Sequence, residues 1–84
     1  MSTGRDRTND TGQEPLATGV VFDGSLMRVG LADGREIAAP LAWFPRLRAA
    51  TSEERAGWRL IGGGVGIHWD VIDEDLSVAG LLAG

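Results

Sequence analysis

The residues best suited to chemistry lie in one short segment near the C-terminus, HWDVIDED. It holds the only histidine, His68, together with Asp70, Asp73, Glu74 and Asp75. An imidazole beside carboxylates is able to hold a transition metal, although such sites usually gather two or more histidines. The spacing also differs from the alternating acids of a helix-loop-helix calcium loop. We therefore assign no metal ligand and no cofactor, and expect the acids to cap a following helix while His68 is partly buried and hydrogen-bonded.

The remaining composition excludes several kinds of catalytic site. The chain contains no cysteine and no lysine, so it offers no thiolate nucleophile, Schiff base or phosphate-loop lysine. Its glycine run, Gly62 to Gly64 followed by Gly66, lacks the spacing of a dinucleotide-binding loop and favours a structural turn. With a single histidine to act as base, the serines give no recognisable nucleophile pair. We assign no catalytic residue and expect a protein that is not an enzyme.

Length and polarity predict one small domain. Of the 84 residues, the first 17 are almost entirely polar, so we expect residues 1–17 to form a disordered arm and residues 18–84 a single domain. No apolar run resembles a signal peptide or reaches the roughly 20 residues of a membrane span. A cytoplasmic protein without membrane contact is expected.

Charge argues against a nucleic-acid surface. The formal net charge is −4, and all eight basic residues are arginines. A basic stripe would need four of them, Arg46, Arg48, Arg55 and Arg59, to share one face. We do not expect nucleic acid to be bound directly.

Alternation and turn residues predict strands in the first half of the domain. Strands are expected at residues 18–23, 26–32 and 35–39, with Met27, Val29 and Leu31 on the buried face. A two-residue turn is predicted at Asp33-Gly34, and Pro40 should end the third strand because it has no backbone N–H.

The second half predicts short helices and a further strand pair. A helical turn is expected within residues 41–47, because Pro45 suits the first turn of a helix. Thr51 and Glu54 fit a capping box for a helix at residues 52–57. Two strands should flank the glycine run within residues 58–69, and a short helix should follow Asp73, Glu74 and Asp75. The predicted fold is α+β, a small antiparallel sheet with two or three short helices.

The three tryptophans allow two interpretations. In so small a domain, Trp43, Trp58 and Trp69 are expected mainly in the core. Aromatic residues and arginines also dominate the energetics of protein interfaces, so Trp43 or Trp69 beside Arg46 and Arg48 would alternatively mark a binding face.

An ordered series of segments resembles the DUF2442 family of small bacterial domains: DGR at residues 33–35, PLAWFPRL at 40–47, SEER at 52–55 and GIHWDVIDEDLSVAGLLAG at 66–84. The resemblance implies an α+β domain without an assigned reaction or catalytic residues. Some members are followed by a helix-turn-helix domain, and some are suspected to act in toxin-antitoxin-like pairs. Here the chain stops at Gly84, so we expect any DNA-reading module to come from another polypeptide. Asp70 stands where the family often has proline.

We therefore hypothesise a non-enzymatic protein-interaction domain, either the antitoxin-like member of a toxin-antitoxin-type pair or a regulatory accessory protein. A protein partner is expected, with self-association as one form of it. The alternative is a metal-binding or small-ligand-binding domain centred on residues 68–75. The candidate interaction surface consists of aromatic and charged residues: Trp43, Arg46, Arg48, His68, Trp69, Asp70, Asp73 and Asp75.

Overall fold

The computed structural model of the chain describes residues 15–83. Most of the proposed N-terminal arm, residues 1–17, lies outside the described residues. The first strand begins at Ala17, one residue before the predicted domain boundary, and Ala17 is buried.

Six strands and short helices confirm the α+β class. The strands are β1 Ala17–Asp23, β2 Leu26–Leu31, β3 Glu36–Pro40, β4 Trp58–Ile61, β5 Gly66–Trp69 and β6 Glu74–Ser77. The helices are a 3₁₀ turn, Leu41–Trp43, followed by α1 Pro45–Ala49, α2 Ser52–Ala56 and α3 Val78–Ala83. The strands form two separate antiparallel sheets, with orders β1-β2-β3 and β4-β5-β6.

The first sheet is a meander whose central strand has the predicted alternation. Met27, Val29 and Leu31 are all buried, and they face the core as expected. The two-residue turn joins β1 to β2 at Gly24–Ser25, where Gly24 has a φ of 60°. The turn at Asp33-Gly34 is longer than predicted. Leu31 N donates to Arg35 O at 2.8 Å and Gly34 N donates to Leu31 O at 3.0 Å, which leaves a three-residue loop between them.

The helical segment follows the local signals closely. Pro45 occupies the first turn of α1. The capping box of α2 is complete, because Glu54 N donates to Thr51 Oγ1 at 3.1 Å and Thr51 N donates to Glu54 Oε1 at 2.9 Å. Both predictions are confirmed.

The acidic residues do not cap the terminal helix, which corrects the sequence prediction. Asp73 ends a turn with a φ of 53°, and Glu74 and Asp75 open strand β6. Helix α3 begins only at Val78, where the Ser77 Oγ accepts a hydrogen bond from Gly80 N at 2.9 Å. The strand forms there because pairing with β5 satisfies the backbone groups and buries alternate side chains.

One core joins the two sheets and the helices. Its largest fully buried side chains come from β2, α1, β5 and α3: Met27, Val29, Leu47, Ile67, Trp69 and Val78. A backbone hydrogen bond also links the sheets, since Ala17 N donates to Gly64 O at 2.8 Å. The glycine turn between β4 and β5 therefore serves as a packing contact with β1.

We expect Gly64→Ala to destabilise the protein much more than Gly63→Ala. Both glycines have a positive φ, so either alanine should cost about 1 to 2 kcal/mol of backbone strain. A Cβ at Gly64 would additionally lie 2.5 Å from the carbonyl oxygen of Ala17, whereas nothing lies within 4 Å of one at Gly63. Urea unfolding of both variants should give a loss of more than about 3 kcal/mol for Gly64→Ala. Equal losses would contradict the packing role.

Candidate functional site

Three polar residues form a row across the second sheet. Arg59 on β4 pairs with His68 on β5, and His68 pairs with Asp75 on β6. Residues directly opposite one another in antiparallel strands project from the same face, so their side chains meet there. Asp70, just after β5, completes a group that we call the His68 cluster: Arg59, His68, Asp70 and Asp75.

The imidazole of His68 lies between two carboxylates. Its Nδ1 is 2.5 Å from Asp75 Oδ1, and its Nε2 is 2.9 Å from Asp70 Oδ1. Asp70 is held in turn by Arg59, whose Nε and Nη2 donate to its two oxygens at 3.2 and 3.3 Å. The His68 side chain is only 17% exposed, while Asp70 and Asp75 remain largely exposed.

These contacts shift the pKa values of two members. The hydrogen bond to Asp75 raises the pKa of His68, and partial desolvation opposes that shift. The hydrogen bonds from Arg59 lower the pKa of Asp70. The neighbouring carboxylates therefore stabilise the protonated form of the His68 ring relative to the neutral form.

Both nitrogens of the His68 ring are occupied by hydrogen bonds within the cluster. When the ring is protonated, both of its N–H groups donate to these carboxylates, so neither nitrogen then offers a lone pair. Within residues 15–83, no three His, Cys, Asp or Glu side chains are grouped so that they could hold a metal ion. The cluster ties together all three strands of the second sheet.

A second predicted group meets at the turn after β5. Arg46 on α1 donates from Nη1 to the carbonyl oxygen of Asp73 at 2.5 Å. The same turn carries Val71, which is 75% exposed. Trp43, in the 3₁₀ turn that precedes α1, is 59% exposed. The structure thus joins Arg46 and Asp73 directly.

Two of the predicted surface residues lie elsewhere. Trp69 is 1% exposed and belongs to the core, where its Nε1 donates to the carbonyl oxygen of Arg55 at 2.9 Å. Its inclusion in a binding surface was wrong, because it sits on the inward face of the central strand β5. Arg48 lines a groove with Ser25 and Leu41.

Sequence reasoning missed the roles of two arginines. Arg59 was grouped with a possible basic stripe, although strand alternation places it on the same face as His68. Arg55 donates to the carbonyl oxygens of Leu47 and Arg48 at 2.8 and 2.9 Å, which no local pattern indicates.

The fold is a small α+β domain built from two three-stranded meanders, and the His68 cluster joins the three strands of the second meander. The chain belongs to the DUF2442 family, described as proteins of unknown function, whose model matches residues 17–84. It is similar to a solved structure, the crystal structure of a protein of unknown function from Rhodospirillum rubrum ATCC 11170 at 2.75 Å resolution. The two are 32% identical with a TM-score of 0.74, covering 86% of this chain and 89% of the other.

The comparison with curated proteins gives no match. Across the described part of the chain, residues 15–83, no helix has the length and apolar character needed to cross a membrane.

We expect the NMR titration of the His68 ring to show a pKa above the ordinary value, and Asp75→Asn to lower it more than Asp70→Asn does. Asp75 makes the larger contribution to the shift, so the two variants form a matched pair. Because His68 is the only histidine, its ring signals are unambiguous. A larger effect of Asp70→Asn would contradict this assignment.

The same contact should make stability depend on pH. The pKa of His68 is higher in the folded protein than in the unfolded chain, where it is about 6.5. The protonated ring therefore contributes fully to the free energy of unfolding below pH 6.5, and this contribution is lost as the pH rises through the folded-state pKa. The difference in unfolding free energy between wild type and His68→Gln should therefore shrink between about pH 5.5 and pH 8.5. Urea unfolding at both pH values measures it, and a constant difference would refute the linkage.

Proposed function

We propose that this domain is a non-enzymatic protein-interaction module that binds its partner through a face formed by Trp43, Arg46, Val71 and Asp73, hereafter the Trp43 face. The observation that carries the proposal is the exposure of Trp43, 59% of a side chain that proteins of this size normally bury. Trp58 is half-buried and Trp69 is fully buried, so Trp43 is the exception among the three.

The local backbone holds Trp43 outward. It ends a 3₁₀ turn that follows Pro40, and Phe44 N donates back to Leu41 O at 2.9 Å. Leu41, at the start of the same turn, is buried and anchors the segment to the core. Tryptophan is the residue most enriched among interface hot spots, because its large rigid ring gains much contact area at little entropic cost.

The surroundings of Trp43 add features of an interface. Arg46, one turn further along, is oriented by its hydrogen bond to the carbonyl oxygen of Asp73. The turn containing Asp73 also exposes Val71, so an exposed apolar side chain lies in the same turn as this contact. Aromatic, aliphatic and arginine side chains together are typical of the centre of a protein interface.

The charge around this face favours a basic partner. Asp73 lies in the turn itself, and the whole chain carries a net charge of −4. A net negative charge steers a basic protein towards the domain and raises its association rate. An antitoxin-like or regulatory accessory role in the cytoplasm fits this chemistry, with the partner as the basic member of the pair.

No contact among the described residues favours metal binding or nucleic-acid binding. Both ring nitrogens of His68 face carboxylates, which disfavours metal binding at residues 68–75. Arg59 is paired with Asp70, which reduces its value for phosphate contacts. We propose no direct binding of nucleic acid.

We expect Trp43→Ala to abolish retention of a stoichiometric partner without unfolding the domain. Because Trp43 is largely exposed, its removal should change unfolding free energy little compared with a core substitution. Affinity capture of the tagged domain from native lysate, quantified by mass spectrometry, measures retention. The matched control is Val65→Ala, an exposed apolar residue in the glycine turn at the other end of β5.

The proposal is refuted if both variants retain the same proteins as wild type. Self-association through the Trp43 face is distinguished by sedimentation of the purified chain over a range of concentrations. In that case wild type and Val65→Ala should dimerise on concentration, whereas Trp43→Ala should remain monomeric.

A further inference from the structure

Two adjoining grooves lie on another part of the surface, between the first sheet and the helices. One has a volume of about 470 Å³ and lies between residues 20–22 of β1 and helix α2, with Trp58 at its wall. The other, about 440 Å³, lies between the β1–β2 turn and residues 40–42. They share Gly24 and Arg55, so together they form one continuous surface, which we call the β1 groove. Trp43 lines neither part.

The β1 groove is positively charged in an acidic protein. The charged side chains that line it are Arg48 and Arg55, and among the described residues that line it there is no carboxylate. The Arg55 guanidinium is held in place by hydrogen bonds to two carbonyl oxygens of α1 and lies 5.7 Å from the centre of the Phe22 ring. A cation fixed in this way attracts a carboxylate at little further entropic cost.

The groove also lies beside the edge strand of a sheet, beyond the point where the glycine turn bonds to Ala17 and the Trp58 ring approaches Gly19. β1 is the outer strand of the order β1-β2-β3. Leu41 N donates to Ser25 O, so the backbone carbonyl of Ser25 points towards β3. The backbone groups of the next residue, Leu26, then point the other way, towards its partner Asp23 on β1. Because such pairs alternate along an antiparallel ladder, the backbone N–H and C=O of Val20 and Phe22 point away from β2.

Within the described chain, the outward backbone groups of Val20 and Phe22 remain available for hydrogen bonds. Among residues 15–83, no backbone hydrogen bond outside the two sheets involves Val20 or Phe22. Between them, the Val21 side chain is 62% exposed. An edge strand beside a groove is the arrangement into which proteins accept an extended peptide as an added strand.

We infer that the β1 groove binds an extended acidic segment of a partner protein. The segment pairs through its main chain with Val20 and Phe22, and its carboxylates face Arg48 and Arg55. Main-chain pairing supplies affinity and the two arginines supply the preference for acidic residues. This groove is separate from the Trp43 face, so either proposal stands if the other fails.

The test is an NMR titration of the full ¹⁵N-labelled chain with a synthetic peptide that alternates valine and glutamate. Saturable shifts are expected at the amides of Val20 and Phe22 and in α2. A peptide of the same length alternating valine and lysine should cause no such shifts. Added salt should weaken the binding of the glutamate peptide, because part of its binding energy is electrostatic.

Arg48→Gln should lower the affinity for the glutamate peptide by about fivefold, which is the contribution expected of one exposed ion pair. Arg48 is preferred to Arg55 as the variant because its own side chain makes none of the hydrogen bonds that hold α1. The matched control is Arg35→Gln, an exposed arginine in the β2–β3 loop that contacts Asp33, and it should bind like wild type.

Several results would overturn the inference. They are an absence of saturable shifts, equal binding of the lysine peptide, and an Arg48→Gln variant that binds like wild type. The inference would also be overturned if inorganic phosphate or a single-stranded oligonucleotide reproduced the shifts, because that result would indicate a general anion site. Shifts at Val20 and Phe22 on concentrating the chain alone would show that a second copy occupies the groove.

Discussion

The buried indole of Trp69 is the contact on which the remaining structure depends. It is the largest fully buried side chain, and its one polar atom is satisfied by the carbonyl oxygen of Arg55. Burying that N–H without a partner would cost a few kcal/mol, roughly 1 to 3 in proteins, which is a large part of the stability of a small domain. Because Trp69 lies on the central strand β5, this bond fixes the second sheet against helix α2.

Arg55 extends the same connection through its side chain. Arg55 donates to two carbonyl groups in the last turn of α1, those of Leu47 and Arg48, and the Leu47 carbonyl also accepts from Ala50 N at 3.2 Å. Its guanidinium also lies over Phe22 of the first sheet. One residue thereby contacts both sheets and both central helices. This explains how two sheets that share no paired strands hold a common core.

The charged side chains of the second sheet are arranged as a stabilising cluster. The His68 cluster looks from composition like a reactive centre, yet its charges neutralise one another across β4, β5 and β6. Large apolar side chains remain exposed outside the cluster, among them Trp43 in the 3₁₀ turn, Val21 on β1 and Val71 in the turn after β5. In this member of the DUF2442 family, the charged groups of the His68 cluster are therefore paired with one another, and they join the three strands of the second sheet.

The sequence by itself determined the local elements. Alternation gave the buried face of β2, glycines marked the turns, Pro45 marked the start of α1, and the pair Thr51 and Glu54 fixed the start of α2. These signals depend on residues within about four positions of one another, the range over which backbone sterics and capping act. The presence of a turn at Asp33-Gly34 was equally local, and only its length was misjudged.

Only the tertiary structure decided how those elements combine. It divided the strands between two sheets, drew Glu74 and Asp75 into β6, buried Trp69 while leaving Trp43 exposed, and placed Arg59 against Asp70. Each of these outcomes depends on partners distant in the sequence. A carboxylate can cap a helix or pair across a strand with similar local cost, so the choice follows from which neighbour the whole fold supplies.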